Sequence, residues 1–483
     1  MSTFGWIPFY TIEQVIDQII DWSCFSVMPW LTLERWFFVE ELCVRLLARE
    51  MKDLSMPKEL VVLCDGTCDS PESDKGQATN IQILRDLLVL DASSVDLHPT
   101  EGWEVHRLSL ENQQTRLVYY DRGLGAPTLD AFGKVVAWSW NPVNFFKDAA
   151  YVADKFREAS AETVGSGIMD RVAQAYYFLA DHYEEGDQIF LLGFSRGAYT
   201  LRILVTLLRH LGLIRKDKST SAEHMQASIV QGFNLYNAAV HPDANAAVLE
   251  FRKNTYPYKG VVRFLGLWDT VRGLVLEKVR EDAKLSSVVV VARHALSIDE
   301  MRIPFKPELW IANKDTTDSE QRWFPGVHAD VGGGYSEHGL SNISLAWMLD
   351  EAQKNGLIPT PNMDHHLILA QHAPDNLAIQ HDSLQASPVG HALNWQVIGG
   401  GAYSRPLCQT VLGESIDPSA TARYGQTVSI AWCDASSPCP YNPTNLTYAF
   451  RAIRNAMRQP DIVINGIEAL VIPDDLAMQK ANP

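Results

Sequence analysis

The hydrophobic and polar positions from residue 165 to residue 211 predict a helix, a turn, a strand and a second helix in succession. The first helix is predicted from apolar residues at helical spacing, which are Ile168, Val172, Ala175, Leu179 and Tyr183. Gly186 and Asp187 mark the turn, and the apolar run from Ile189 to Leu192 predicts the strand. The segment from Ala198 to Leu208 predicts the second helix.

Two further apolar stretches predict strands that each end in an aspartate. The first runs from Leu60 to Thr67 and contains Asp65, and the second runs from Val261 to Thr270 and contains Asp269. Open α/β sheets place their functional sites at the carboxyl ends of the strands. Both aspartates are therefore expected at the edge of the sheet where a site would form.

The turn between the predicted strand and the second helix has the pattern G-x-S-x-G. Its residues are Gly193-Phe194-Ser195-Arg196-Gly197. Side chains two positions either side of the serine would collide with the neighbouring strand and helix as the backbone doubles back. This geometry leaves Ser195 at the apex, where it is either a catalytic nucleophile or a buried turn serine.

An activated serine needs a base, and the base needs an acid that orients it. Of the 14 histidines, His328 stands in an irregular glycine-rich segment, and such loops position side chains rather than fill cores. Asp269 lies between Ser195 and His328 and could accept a hydrogen bond from the imidazole; alternatively it caps a helix or a turn. Asp330 is the rival acid, but its nearness to His328 favours a role in bracing the loop.

The first 56 residues predict a separate amphipathic helical segment. One apolar face is formed by Ile12, Val15, Ile16, Ile19 and Ile20. The polar face is acidic, with Glu13, Asp17 and Asp21, whereas interfacial helices usually carry Lys and Arg there. A second helical pattern runs from Leu33 to Leu47. Two interpretations stay open, a pair of helices packed on an enzyme domain and helices that dock on a membrane surface.

Residues 135–146 form a second uncharged apolar stretch that holds two tryptophans and two phenylalanines. Enzymes that act on acyl chains need an apolar wall near the nucleophile, often on a mobile cap. Residues 131–156 are therefore either a lid or part of the ordinary core.

Composition favours a soluble enzyme, with 46% hydrophobic and 20% charged residues in a chain of 483. The net charge of −17 argues against a nucleic-acid partner. The seven cysteines lack the spacing of a zinc site and favour a reducing compartment. The uncharged residues 22–33 are too few to span a membrane, and no basic region of a signal peptide precedes them. The expected location is the cytoplasm of the producing cell, unless a non-classical route exports the protein.

Six stretches together resemble the DUF2235 family, whose hydrolase domain is shared with the Tle1-type phospholipase effectors of type VI secretion. The stretches are LCDGT at 63–67, YYDRGLG at 119–125, GDQIFLLGFSRGAYTLR at 186–202, FLGLWDTV at 264–271, HALSIDEMRIPFKPELW at 294–310 and WFPGVHADVGGGY at 323–335. With weaker similarities further on, the resemblance spans roughly residues 58 to 450.

The resemblance implies an α/β-hydrolase-like fold, a mostly parallel sheet with helices on both faces. Together with the pattern of the first 56 residues, it predicts three parts, an N-terminal helical segment (1–56), a hydrolase domain (57–450) and a C-terminal tail (451–483). It does not indicate an oligomeric state.

The family's catalytic triad transfers to Ser195, Asp269 and His328. The backbone N–H of Arg196, with that of Gly66 or Thr67, would hold the oxyanion.

No metal or organic cofactor is implied. The expected reaction is hydrolysis of carboxylic esters through an acyl-enzyme. The expected substrates are glycerophospholipids, reached by transient contact with a membrane surface. A soluble carboxylesterase or thioesterase is the alternative, and a non-catalytic binding scaffold is a weaker one, since all three triad positions are intact.

Overall fold

The computed structural model describes residues 56–66, 78–89, 94–98, 103–110, 113–123, 168–216, 221–238, 245–256, 259–272, 285–311, 318–357, 373–383, 403–407, 413–432 and 435–457. The chain divides into two units, Met1–Met56 and Pro57–Pro483, and every element below belongs to the second. The predicted helices before residue 56, the predicted lid at 131–156 and Thr67 lie outside the described residues. Within the described part, no helix has the length and apolar character needed to cross a membrane.

Fourteen strands occur among the described residues. They are β1 (Glu59–Cys64), β2 (Ser94–His98), β3 (Trp103–Ser109), β4 (Thr115–Asp121), β5 (Gln188–Phe194), β6 (Leu213–Ile214), β7 (Thr255–Tyr256), β8 (Val262–Trp268), β9 (Val289–Ser297), β10 (Asp318–Phe324), β11 (Gln380–His381), β12 (Glu414–Ile416), β13 (Thr427–Trp432) and β14 (Ala435–Pro440). Nine of them form the main sheet, in the order β12-β10-β9-β8-β5-β1-β4-β3-β2.

Nine α-helices occur among the described residues. They are α1 (Asn80–Val89), α2 (Ile168–His182), α3 (Ser195–Leu211), α4 (Ala222–Ala238), α5 (Ala246–Phe251), α6 (His328–Gly332), α7 (Ser341–Lys354), α8 (Pro418–Arg423) and α9 (Thr444–Met457). Helix α9 crosses the boundary predicted at residue 450 between the hydrolase domain and the tail.

The main sheet is mostly parallel, and its side chains alternate between two buried faces. All pairings from β12 across to β4 are parallel, whereas β3 is antiparallel to both β4 and β2. In β1, Leu60 and Val62 pack in a core with α2, α3 and α4, while Val61 and Leu63 pack in a core with α1 and α7. Strands covered by helices on both sides become continuous apolar runs, as β1 is. The predicted α/β fold with helices on both faces is confirmed.

The register of three central strands brings their carboxyl ends together. Gly193 of β5 pairs with Cys64 of β1 on one side and with Leu267 of β8 on the other. The residues that follow these strands therefore leave the sheet at the same edge. Asp65, Ser195 and Asp269 are three such residues, so the fold collects them from separate parts of the chain.

Candidate active site

Ser195 lies at a sharp turn from strand to helix, as the G-x-S-x-G pattern predicts. It is the first residue of α3 and directly follows β5, and its φ angle is 57°, in the left-handed region that non-glycine residues rarely adopt. A Cβ atom on Gly197 would lie 2.2 Å from the carbonyl oxygen of Cys64, and one on Gly193 would lie 2.9 Å from the backbone nitrogen of Ala198. Both glycines are required because helix and strand approach too closely for a side chain.

Three side chains form a continuous hydrogen-bonded relay. His328 Nε2 lies 2.9 Å from the Ser195 hydroxyl oxygen, and His328 Nδ1 lies 2.6 Å from Asp269 Oδ2. An ionised carboxylate only accepts, so Nδ1–H donates to Asp269, which leaves Nε2 free to accept the serine proton. All three side chains are buried. The structure thus brings together the three residues that the sequence singled out, although they are 59 to 133 positions apart in the chain.

Asp269 is held as an anion in the interior. Its φ angle is 39°, and Oδ1 accepts a hydrogen bond of 3.0 Å from the backbone N–H of Ser297. Burial by itself would raise the pKa of Asp269, but the charge of Arg405 and the hydrogen bond from His328 hold that pKa below its usual range. The carboxylate is therefore charged at neutral pH and able to stabilise an imidazolium.

The segment that carries His328 is a short helix and not the irregular loop expected from its glycines. Helix α6 begins at His328, and Gly326 and Gly333 on either side of it adopt positive φ angles. The imidazole lies between two aromatic rings, with centroid distances of 4.7 Å to Phe194 and 4.9 Å to Phe305. These packing contacts fix the orientation of the ring along with its hydrogen bonds.

Asp330, the rival acid, contacts other groups. Its Oδ2 accepts hydrogen bonds from the backbone N–H groups of Val327 and His381, at 3.1 and 3.0 Å. Its Oδ1 lies 2.6 Å from His381 Nδ1, and the His381 ring stacks on Tyr335 at a centroid distance of 3.6 Å. Asp330 therefore ties the start of α6 to β11, which is the bracing role expected for it.

The turn after β1 lies beside the serine. A Cβ atom on Gly66 would lie 3.2 Å from Ser195 Cβ, so its backbone N–H is close to the site, but this N–H donates to Asp65 Oδ1 at 2.7 Å. Burial raises the pKa of Asp65 to about 7, although hydrogen bonds from Thr79 and Tyr120 oppose this. Arg196 directly follows Ser195 and is the second residue of α3. The assignment of Arg196, Gly66 and Thr67 to an oxyanion hole stays a prediction.

Two residues at the site were not predicted from the sequence. Arg405 forms a two-pronged contact with Asp269, and His381 contacts Asp330. Neither lies in one of the six matching stretches, and neither has a local pattern that sets it apart from other arginines or histidines. The only signal is contact in the folded structure.

The chain belongs to the family of Tle1-like phospholipase effectors of the type VI secretion system. The model of the catalytic domain of this family matches residues 58–351, which is more than half of the chain. The match confirms the resemblance to Tle1-type effectors and is consistent with the broader DUF2235 family.

The chain matches only part of each individual relative. An uncharacterised protein of Saccharomyces cerevisiae is 30% identical over 248 residues, which is 49% of this chain but only 33% of that protein. A crystal structure of an uncharacterised protein from Pseudomonas aeruginosa shares 18% identity and covers 64% of this chain and 47% of its own, with a TM-score of 0.33. The structure of a Tle1 effector bound to the VgrG spike shares 17% identity over 58% of this chain and 52% of that chain, with a TM-score of 0.27. Both TM-scores are low, so family membership rests on the match to the family model.

Proposed function

We propose that this protein is a serine hydrolase that cleaves carboxylic esters of glycerophospholipids through an acyl-enzyme. The observation that carries the proposal is the relay of 2.9 Å from Ser195 to His328 and 2.6 Å from His328 to Asp269. This arrangement of a nucleophile, a base and an orienting acid is recognised by its geometry and recurs on unrelated folds. Family membership favours a phospholipid among the esters that such a site could cleave.

In the proposed first step, the Ser195 oxygen attacks the ester carbonyl carbon while His328 Nε2 takes the serine proton. A tetrahedral intermediate forms and collapses, the bond from carbon to the alcohol oxygen breaks, and the imidazolium gives its proton to the leaving alcohol. Water then attacks the acyl-serine in the same way, and the fatty acid leaves. Asp269 keeps the imidazole in the required tautomer throughout.

The negative oxygen of the intermediate needs donors, and we assign the backbone N–H of Arg196 to it. A second donor would be the N–H of Gly66 or of Thr67. Gly66 can serve only if its N–H shares or gives up the bond to Asp65. The loss of one such donor costs roughly two to three orders of magnitude in rate in other enzymes.

Apolar side chains beside His328 support an acyl substrate. Phe305 contacts the imidazole edge to face, and Met301 and Ile303 on the same segment are 41% and 42% exposed. We propose that this exposed apolar segment, which reaches the site through Phe305, holds part of the acyl chain.

The proposal is tested with purified protein, mixed glycerophospholipid vesicles and a short-chain soluble ester and thioester, with products identified by mass spectrometry. We expect fatty acid and lysophospholipid from the wild type. Ser195→Ala should lose both hydrolysis and labelling by a fluorophosphonate probe while its thermal stability is nearly unchanged. Ser228→Ala on α4, which contributes no residue to the site, is the matched control and should behave as the wild type.

The outcomes separate the alternatives. Ser195-dependent cleavage of the soluble substrates without cleavage of phospholipid would indicate a carboxylesterase or thioesterase. Hydrolysis that persists in Ser195→Ala would place the active site elsewhere, and the absence of any hydrolysis or labelling would refute the proposal.

A further inference from the structure

Arg405 contacts Asp269, the acid of the relay. Its side chain is fully buried, Nη1 donates to Asp269 Oδ1 at 2.6 Å, and Nη2 donates to Asp269 Oδ2 at 3.1 Å. Two parallel N–H donors that match two carboxylate oxygens form the strongest and most directional kind of ion pair in proteins. The Asp269 carboxylate therefore accepts hydrogen bonds from both an imidazole and a guanidinium.

The guanidinium is itself fixed by backbone acceptors. Nη1 also donates to the carbonyl of Ser297 at 2.8 Å, and Nη2 donates to the carbonyl of Phe305 at 2.5 Å. The Asn445 side chain donates to the backbone carbonyls of Arg405 and Ile298, at 3.2 and 2.9 Å. Arg405 is therefore held at both its backbone and its side chain, in a position from which it can orient Asp269.

The neighbouring charged groups are already paired or neutral. Glu300 accepts a hydrogen bond of 3.3 Å from the backbone N–H of His328, but it also forms an ion pair with Arg302. His294 on the adjacent strand is uncharged because burial lowers its pKa to about 3. On α6, Asp330 is paired with His381. Among the described residues, Arg405 is thus the cation in direct contact with the acid of the relay.

We propose that Arg405 is a positioning residue of this active site, which fixes the Asp269 carboxylate toward His328 and balances its charge. The inference rests on the proposed serine hydrolase function. The site then consists of four groups that are hydrogen-bonded in succession, a hydroxyl, an imidazole, a carboxylate and a guanidinium. The fourth group touches no substrate and acts through Asp269.

A measurable consequence follows from the charge. A nearby positive charge makes the uptake of a further proton by the relay as a whole less favourable. The relay needs the imidazole without its extra proton, so Arg405 extends activity to lower pH. Removal of the guanidinium should therefore move the acidic limb of the activity profile to higher pH.

The test compares Arg405→Met with the wild type in kcat/KM for the soluble ester between about pH 4.5 and pH 9. We expect a loss on the order of 100-fold, since misplacement of a catalytic group by about 1 Å costs this much. We also expect the acidic limb to move up by about one pH unit, the lower end of the effect of a neighbouring charge.

The matched control is Arg116→Met, because Arg116 is also a fully buried arginine paired with a carboxylate in the same sheet. It donates through Nε to Glu59 Oε2 at 2.7 Å, and Glu59 is the first residue of β1, at the end of the strand away from the site. This variant should be destabilised but keep the acidic limb of the wild type. An acidic limb that is unchanged in Arg405→Met, or moved equally in Arg116→Met, would overturn the inference.

Arg405→Lys keeps the buried charge and serves as the decisive variant if Arg405→Met does not fold. It loses the two-pronged contact, so we expect kcat to fall about tenfold while KM and the acidic limb stay as in the wild type. If Arg405→Lys kept the kcat of the wild type, the two-pronged contact would not position Asp269, and the proposal would be refuted. If the wild-type protein showed no hydrolysis that depends on Ser195, the proposed function would be refuted, and this inference with it.

Discussion

Replacing Gly332 with alanine should disturb His328 through packing alone. The φ angle of Gly332 is outside the left-handed region, so its backbone can accept alanine. However, a Cβ atom there would lie 1.9 Å from one carbon of the Phe194 ring and 2.3 Å from two others. The same ring packs against the His328 imidazole with a centroid distance of 4.7 Å.

The size of the effect follows from these distances. Carbon atoms approach to about 3.5 Å at best, so the ring and α6 must separate by roughly 1.5 Å. Overpacking of this kind costs about 1–3 kcal/mol of stability. Because Phe194 precedes Ser195 and Gly332 ends the helix that starts at His328, the shift falls between nucleophile and base. A misplacement of about 1 Å corresponds to a loss on the order of 100-fold in kcat/KM.

The assay measures kcat/KM on the soluble ester, the rate of fluorophosphonate labelling of Ser195, and the midpoint of urea unfolding. Gly334→Ala is the control in the same glycine run. Its φ is 115°, which strains alanine, but the nearest atom to a Cβ there is 3.9 Å away. Gly334→Ala should lose about 1–3 kcal/mol of stability yet keep activity within about threefold of the wild type. If Gly332→Ala retained wild-type activity, or if both variants lost it equally, the proposed contact would not position His328.

Two further predictions concern buried acids. Asp269→Asn should lower kcat about 10⁴-fold, because the amide favours the wrong imidazole tautomer. Asp330→Asn should lower kcat less than about tenfold. If the two effects on kcat were reversed, Asp330 would be the acid. The pKa of Asp65 is raised from 3.8 to about 7 by burial, so the folded state binds this proton more tightly than the unfolded state does. The resulting stabilisation is complete below about pH 4 and lost as pH rises through about 7. We therefore compare the free energy of unfolding of the wild type with that of Asp65→Asn. The difference, wild type minus variant, should fall by at most about 4 kcal/mol between pH 4 and pH 8. A difference that does not depend on pH would contradict this reasoning.

Local pattern was enough to predict the elements that carry the nucleophile. An apolar run, glycines two positions either side of a serine, and helical spacing are properties of neighbouring residues, and they predict β5, the turn and α3 without knowledge of the rest. The aspartates that follow β1 and β8 were predicted at one edge for a similar reason. Parallel strands of a sheet end on the same side, so Asp65 and Asp269 had to lie near Ser195.

Only the tertiary structure decided which charges meet. Arg405 is 136 positions from Asp269, and His381 is 51 positions from Asp330, so no window of sequence contains either pair. The glycines at 332–334 predicted an irregular loop, and Gly333 and Gly334 do lie outside regular structure, but one helical turn, α6, precedes them, and Asp330 in this turn accepts the N–H of Val327 and is itself held by His381. Hydrophobic periodicity describes how a segment turns its apolar side chains inward, but the burial of a charge depends on a partner supplied from elsewhere in the fold. The sequence therefore determined the strand-turn-helix setting of Ser195, whereas the packing of distant segments determined how Asp269 is charged and held.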